Sequence, residues 1–146
     1  MAIHNNIGWI GETKAAQIMK DKGYTVLKTN WHMGHLELDV VAENEKEIAF
    51  VEVKTRTSMY GNVTPEEYVD DIKKRRVIAA ANAYIKFNHI NKLPRFDIIG
   101  LVVNPNTGEF TYVNHIENAF IPRVRTIHAN SFSGQSRWKH RNHIIR

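Results

Sequence analysis

The chain has 146 residues, of which 42% are apolar and 10% aromatic, enough to fill one core, so a single domain is expected. It holds no cysteine, which excludes a disulfide framework and a thiolate metal site and makes the cytoplasm the expected address. The formal charge of +5 is unevenly placed: from Arg123 onward there are six Lys or Arg residues and no acidic one, so a nearly neutral domain over 1–122 followed by a basic tail over 123–146 is expected.

The segment from Met1 to Trp9 has no basic patch followed by a long apolar run, so neither secretion nor membrane insertion is expected. Ile7, Ile10, Ala15, Ile18 and Met19 then recur at helical spacing, with Gly23 where a C-cap glycine belongs, which predicts an amphipathic helix over 7–22. Tyr24, Val26 and Trp31 suggest a short strand over 24–31.

Two stronger strands are predicted over 36–43 and 48–56, joined by the polar turn Asn44-Glu-Lys-Glu47. Thr64-Pro65-Glu66-Glu67 supplies an N-cap, a first-turn proline and an acidic residue three positions after the cap, predicting a helix from there to about Phe87. Its apolar stripe would be Tyr68, Ile72, Ala79, Ala80, Ala83 and Phe87, with the cations of 73–76 crowded into one turn.

After Pro94, the run over 95–103 is apolar enough for a strand buried on both faces. A turn over 104–108, a fifth strand over 109–113 and a short helix over 116–120 complete the chain. The expected order is therefore α-β-β-β-α-β-β.

If the central hairpin closes around Glu45-Lys46, facing residues have numbers with a constant sum, so Asp39 lies across from Glu52 and Glu37 across from Lys54. Strict alternation places Glu37, Asp39, Glu52 and Lys54 on one face, and Leu36, Leu38, Val40, Val51 and Val53 on the other. Opposed carboxylates repel unless a cation lies between them, and oxygen-only ligands favour a hard divalent ion such as Mg²⁺. Such a site, with a lysine beside it, suits phosphodiester hydrolysis. A solvated strand face with surface ion pairs is the competing explanation of the same short pattern.

Asp39 followed by Glu52-Val53-Lys54 resembles the PD-(D/E)xK nuclease signature, and the predicted order is similar to that superfamily's core. More closely, several segments together resemble the YraN-type family of bacterial endonuclease-like proteins. They are Gly8 with Gly11-Glu12, Asn30-Trp31, the stretches over 37–42 and 50–56, Tyr60-Gly61, Lys73 with Arg76, and Pro94-Arg-Phe-Asp97. Leucines stand at 36 and 38 where many members have glycine and where the superfamily has proline.

The resemblance implies a restriction-endonuclease-like α/β core, with a mixed sheet of about five strands flanked by helices. It also implies a Mg²⁺- or Mn²⁺-dependent endonuclease acting on DNA, branched DNA included. Asp39 and Glu52 would be metal ligands, the Val53 carbonyl a third ligand, Lys54 the catalytic lysine and Glu12 a supplementary carboxylate.

Lys73, Arg76, Arg56 and Tyr60 are the candidate nucleic-acid contacts, against the alternatives of a solvated basic helix face and a loop aromatic capping the core. Glu37 reads as a cross-strand ion pair with Lys54, and Arg95 with Asp97 as a structural pair. The histidines lack ligand spacing for zinc. Two further classes compete: a binding module of the same fold without activity, and an interaction protein docking through its tail. A symmetric pair of chains is one expectation for the assembly.

Overall fold

Asn44 closes the central hairpin. Its side-chain oxygen accepts the N–H groups of Lys46 at 2.9 Å and Glu47 at 2.7 Å, and its own N–H donates to the Glu47 carbonyl at 2.9 Å. That turn sets the register Val40↔Val51 through Glu43↔Ile48, the constant-sum pairing expected from the sequence. The structure is a computed structural model describing residues 6–123; the tail from 124 onward lies outside the described residues.

The elements are α1 (Ile7–Asp21), β1 (Thr25–Met33), β2 (Leu36–Glu43), β3 (Glu47–Arg56), α2 (Asp71–Phe87), β4 (Leu93–Val103) and β5 (Phe110–Phe120). They form an α/β fold in the expected order, with one five-stranded mixed sheet, β1-β2-β3-β4-β5. β3 and β4 run parallel and the other neighbours antiparallel. A parallel pair needs a crossover, which α2 supplies.

Both faces of the sheet are covered. Phe50, Phe96 and Ile48 pack with Val77, Ala81 and Tyr84 of α2, whereas Val40, Val51, Ile99 and Leu101 pack with Ala15 and Met19 of α1. β4 is buried from Arg95 to Val103, as its apolar run requires. Gly11 lets α1 approach β3 closely, because a Cβ there would overlap the Thr55 side chain. No helix among the described residues is long and apolar enough to cross a membrane.

Three expectations are corrected. The helix expected from Thr64 is broken: Pro65–Tyr68 forms a 3-10 turn, Val69 is extended, and Asp70 caps α2 by accepting the Lys73 N–H at 2.9 Å. The buried Val69 anchors the break, and two consecutive capping signals serve two helical segments. The buried stripe of α2 is Val77, Ala80, Ala81, Tyr84 and Ile85, with Ile72 and Phe87 left exposed. Tyr84 decides that rotation, since its ring sits edge-on to Trp31 at 5.3 Å and Phe50 at 5.9 Å. Residues 116–120 are strand rather than helix: Ile116 pairs with Ile98 and Phe120 with Phe96, around a shift at which Asn118 takes φ 54° and donates its N–H to Asp97.

Candidate metal and nucleic-acid site

The backbone pairing of β2 with β3 stops at Val40↔Val51. Beyond it the strands part, and Asp39 Oδ2 accepts the Val53 N–H at 2.8 Å. A carboxylate thus takes a backbone donor that continued pairing would have used. Opposite Asp39 on β1, Asn30 adopts φ 51°, lying between the pairs Thr29↔Val40 and Trp31↔Leu38.

The alternation of β2 also slips here. Leu38 and Val41 both pack on the α2 side, while Val40 and Ala42 pack on the α1 side. The expected common face for Leu36, Leu38 and Val40 is therefore wrong, because the strand turns about Asp39. The expected Glu37–Lys54 pair is also absent among the described residues; the strands have already separated, and Glu37 lies 3.4 Å from His32 Nε2 instead.

This turn brings the predicted carboxylates together. Glu52 is 7% exposed, and burial pushes its carboxyl up to about 8, with the charge of Asp39 adding to the effect. Glu12 of α1 is pushed up to about 7, again by burial first and then by Asp39. Asp39 itself is raised chiefly by burial, against the opposing pull of the Val53 N–H and Lys73. Acids from α1, β2 and β3 thus crowd one place, where their ionised forms are disfavoured.

Cations gather beside them. Lys73 Nζ stands 3.7 Å from Glu52 Oε2, nearer the acids than the phosphate-gripping part expected of it. Its sequence signal was the Asp70 cap, which starts α2 at this point and puts Lys73 in its first turn. Lys54 is half-buried on β3, and its charge opposes the upward shift of Glu52. The Arg56 guanidinium lies 4.2 Å from the Tyr68 ring centre, and its buried Nε lacks a hydrogen-bond partner among the described residues. Tyr60 and Arg76 are exposed, Tyr60 in the loop pinned by its bridge to Val63.

Gly11 on Thr55 and Lys73 beside Glu52 place the N-terminal parts of both helices toward the end of β3. Helix N-termini favour anions, so this end of the sheet suits a negative ligand as well as a cation. Carboxylate oxygens are donors for a hard divalent ion. No three His, Asp or Glu side chains among the described residues stand at metal-holding spacing. Asp39 and Glu52 offer carboxylate oxygens of the type a hard ion such as Mg²⁺ takes one or two of, with water and substrate oxygens completing its shell.

These features define an α/β protein with an acid-and-lysine site in the fork between two strands of a mixed sheet. The chain belongs to the family described as Uncharacterised protein family UPF0102, which matches residues 11–101. That span includes Glu12, Asp39, Glu52, Lys54 and Lys73. It is 46% identical over 127 residues to a UPF0102 protein of Phocaeicola vulgatus, covering 85% of this chain and 99% of that one. It is 44% identical over 125 residues to a UPF0102 protein of Parabacteroides distasonis, covering 86% and 100%. A UPF0102 protein of Caldanaerobacter subterraneus subsp. tengcongensis is 41% identical over 115 residues, covering 78% and 93%.

Proposed function

We propose that the protein is a metal-dependent endonuclease of the PD-(D/E)xK, restriction-endonuclease-like type, hydrolysing phosphodiester bonds of DNA, branched DNA included. The observation that carries this reading is the crowding of Glu12, Asp39 and Glu52 in the strand fork, with Lys54 and Lys73 against them. Asp39 and Glu52 would hold Mg²⁺ or Mn²⁺, with the Val53 carbonyl as a third ligand and Glu12 as a supplementary carboxylate. When bound, the ion would stabilise negative charge on the phosphodiester and acidify water.

The chain's own residues do the rest. Lys54 orients the attacking water and stabilises the charge that builds on phosphorus oxygens. Lys73, at 3.7 Å from Glu52 and partly exposed, would exchange that contact for a non-bridging phosphate oxygen of the bound strand. Arg56 and Arg76 hold flanking phosphates and fix register without reading bases. Water oxygen bonds to phosphorus and releases a proton to solvent, the ester bond to the leaving sugar oxygen breaks, and that oxygen takes a proton back from solvent. Cutting both strands calls for two such sites, which a symmetric pair of chains would supply.

A binding module of the same fold without activity is the second reading, favoured by the 3.7 Å contact in which Lys73 already partners Glu52. The two separate on incubation with linear, nicked and four-way-junction DNA in Mg²⁺ or Mn²⁺. Hydrolysis requires that at least one substrate is cut, and that Glu52→Ala and Lys54→Ala abolish cutting while remaining folded. Equal behaviour of wild type and both variants would leave the binding module.

A further inference from the structure

Large apolar side chains at the site's end of the molecule are left uncovered. Trp9 is 68% exposed, Tyr60 66%, Ile72 56% and Tyr68 39%. Aromatic side chains are mostly covered on average, so Trp9 and Tyr60, each more than half exposed on segments that adjoin the acid site, are candidates for a binding surface. Trp9 lies one helical turn before Glu12, on the end of α1 that Gly11 holds against Thr55. Tyr60 follows β3 in the adjoining loop, and Ile72 precedes the lysine that contacts Glu52.

Cations are interleaved with these rings. Arg56 lies over Tyr68, Lys73 follows Ile72, and exposed Arg76 comes one turn later on α2. Aromatic faces alternating with basic groups suit an unpaired strand, whose bases can stack on the rings while its phosphates meet the cations. A continuous duplex keeps its bases stacked internally and offers such rings only its charged backbone.

We infer that this rim binds an unpaired DNA strand, with bases stacked on Trp9 and Tyr60 and phosphates held by Arg56, Lys73 and Arg76. The inference rests on the proposed hydrolysis of DNA at the adjoining acids and narrows its substrate to DNA with a single-stranded portion. Trp9 is the residue that sequence reasoning passed over; its position one turn from Glu12 was the available signal.

The test uses the full chain in EDTA, so that binding is read apart from cutting. Fluorescence anisotropy compares a labelled single strand with a blunt duplex of equal length, for wild type and the Trp9→Ala/Tyr60→Ala double variant. Wild type should bind the single strand at least about tenfold tighter than the duplex, and the double variant should lose about ten- to a hundredfold of that affinity. The Trp9→Phe/Tyr60→Phe variant should retain most of it, and 2-aminopurine in the strand should be quenched by wild type but not by the double alanine variant.

Equal or tighter duplex binding, an unchanged double variant, or preference for RNA of the same sequence overturns the inference. Because these side chains are exposed, both variants should keep the wild-type thermal midpoint. If wild type binds the strand through these rings yet cuts nothing in Mg²⁺ or Mn²⁺, the nuclease reading falls and the rim stands. If it cuts duplex alone and the double variant cuts equally well, the rim falls and the nuclease reading stands.

Discussion

Replacing Glu52 by glutamine should make the protein more stable at neutral and alkaline pH. The side chain is 8% exposed, and its carboxyl titrates near 8 rather than the ordinary 4.5. Between those values the unfolded chain has released the proton and the folded chain has kept it. Stability therefore falls as pH rises from about 4.5 and levels off above about 8. That displacement corresponds to at most about 4–5 kcal/mol once the group is fully ionised. Relaxation of Asp39 and Lys73 around a buried charge reduces this, so a gain of about 2 kcal/mol for Glu52→Gln at pH ~7.5 is expected. Loss of the Lys73 contact offsets less than about 1 kcal/mol, since that lysine is partly solvated. Urea unfolding in EDTA across the pH range measures the difference directly. The gain should vanish as pH falls well below 4.5, where both folded and unfolded wild type carry the proton. A variant less stable than wild type at pH ~7.5, or a gain that persists unchanged into acid, would refute the assignment of Glu52 as a strained buried acid.

Divalent cations should reverse this ranking: Mn²⁺ should raise the thermal midpoint of wild type at pH ~7.5 and leave Asp39→Asn unmoved, as scanning calorimetry would register. Asp97 accepts from Arg95 Nε and Nη2 and from Asn118 N–H, and meets His115 Nε2 at 2.8 Å. Asp97→Ala, which leaves Arg95 buried without that partner, should cost about 3–5 kcal/mol in urea. Burial pushes Asp97 up, but His115 and Arg95 outweigh it and hold it below the ordinary 3.8. Its stabilisation is thus present above that pH and lost as pH falls through the depressed value, an acid limb the variant should lack. Gly11→Ala should lift α1 from Thr55 at a cost of about 1–3 kcal/mol, with part recovered by Thr55→Ala; full stability of the single variant would contradict the close approach.

The register of the central hairpin was legible because Asn44 has the chemistry of a tight turn and the flanking strands are strongly apolar. That register sufficed to bring Asp39 toward Glu52. It did not reveal the fork, since strict alternation carries no sign that a carboxylate will take the Val53 N–H and turn the strand. The contact of Lys73 was hidden for a related reason: one continuous helix was expected from Thr64, and only the break at Val69 starts α2 beside Glu52. The segment over 116–120 misled because its apolar spacing fits either period, and pairing with β4 decided the outcome. Phe87 and Ile72 satisfied a helical stripe in sequence, yet Tyr84 has ring partners on β1 and β3 and takes the buried face.

The same local choice serves both the fold and the site. If β2 continued to pair with β3 through Asp39 and Glu52, the sheet would gain a rung and the acids would stand on one face, screened from α1. Parting the strands gives up that rung but lets Asp39 meet Glu12 from one side of the sheet and Glu52 from the other. The Val53 N–H recovers the lost hydrogen bond through a side chain, so the opening leaves no bare donor there. What it does leave is a set of acids whose ionised forms are disfavoured by burial and by one another, with the ends of two helices and two lysines close by. Crowding of this kind is retained at a cost to stability, and under the proposed hydrolytic reading its relief by a cation or by phosphate would supply the differential binding the reaction requires. The stability gain of Glu52→Gln and the loss of cutting in Glu52→Ala are therefore two measurements of one arrangement, and they should occur together.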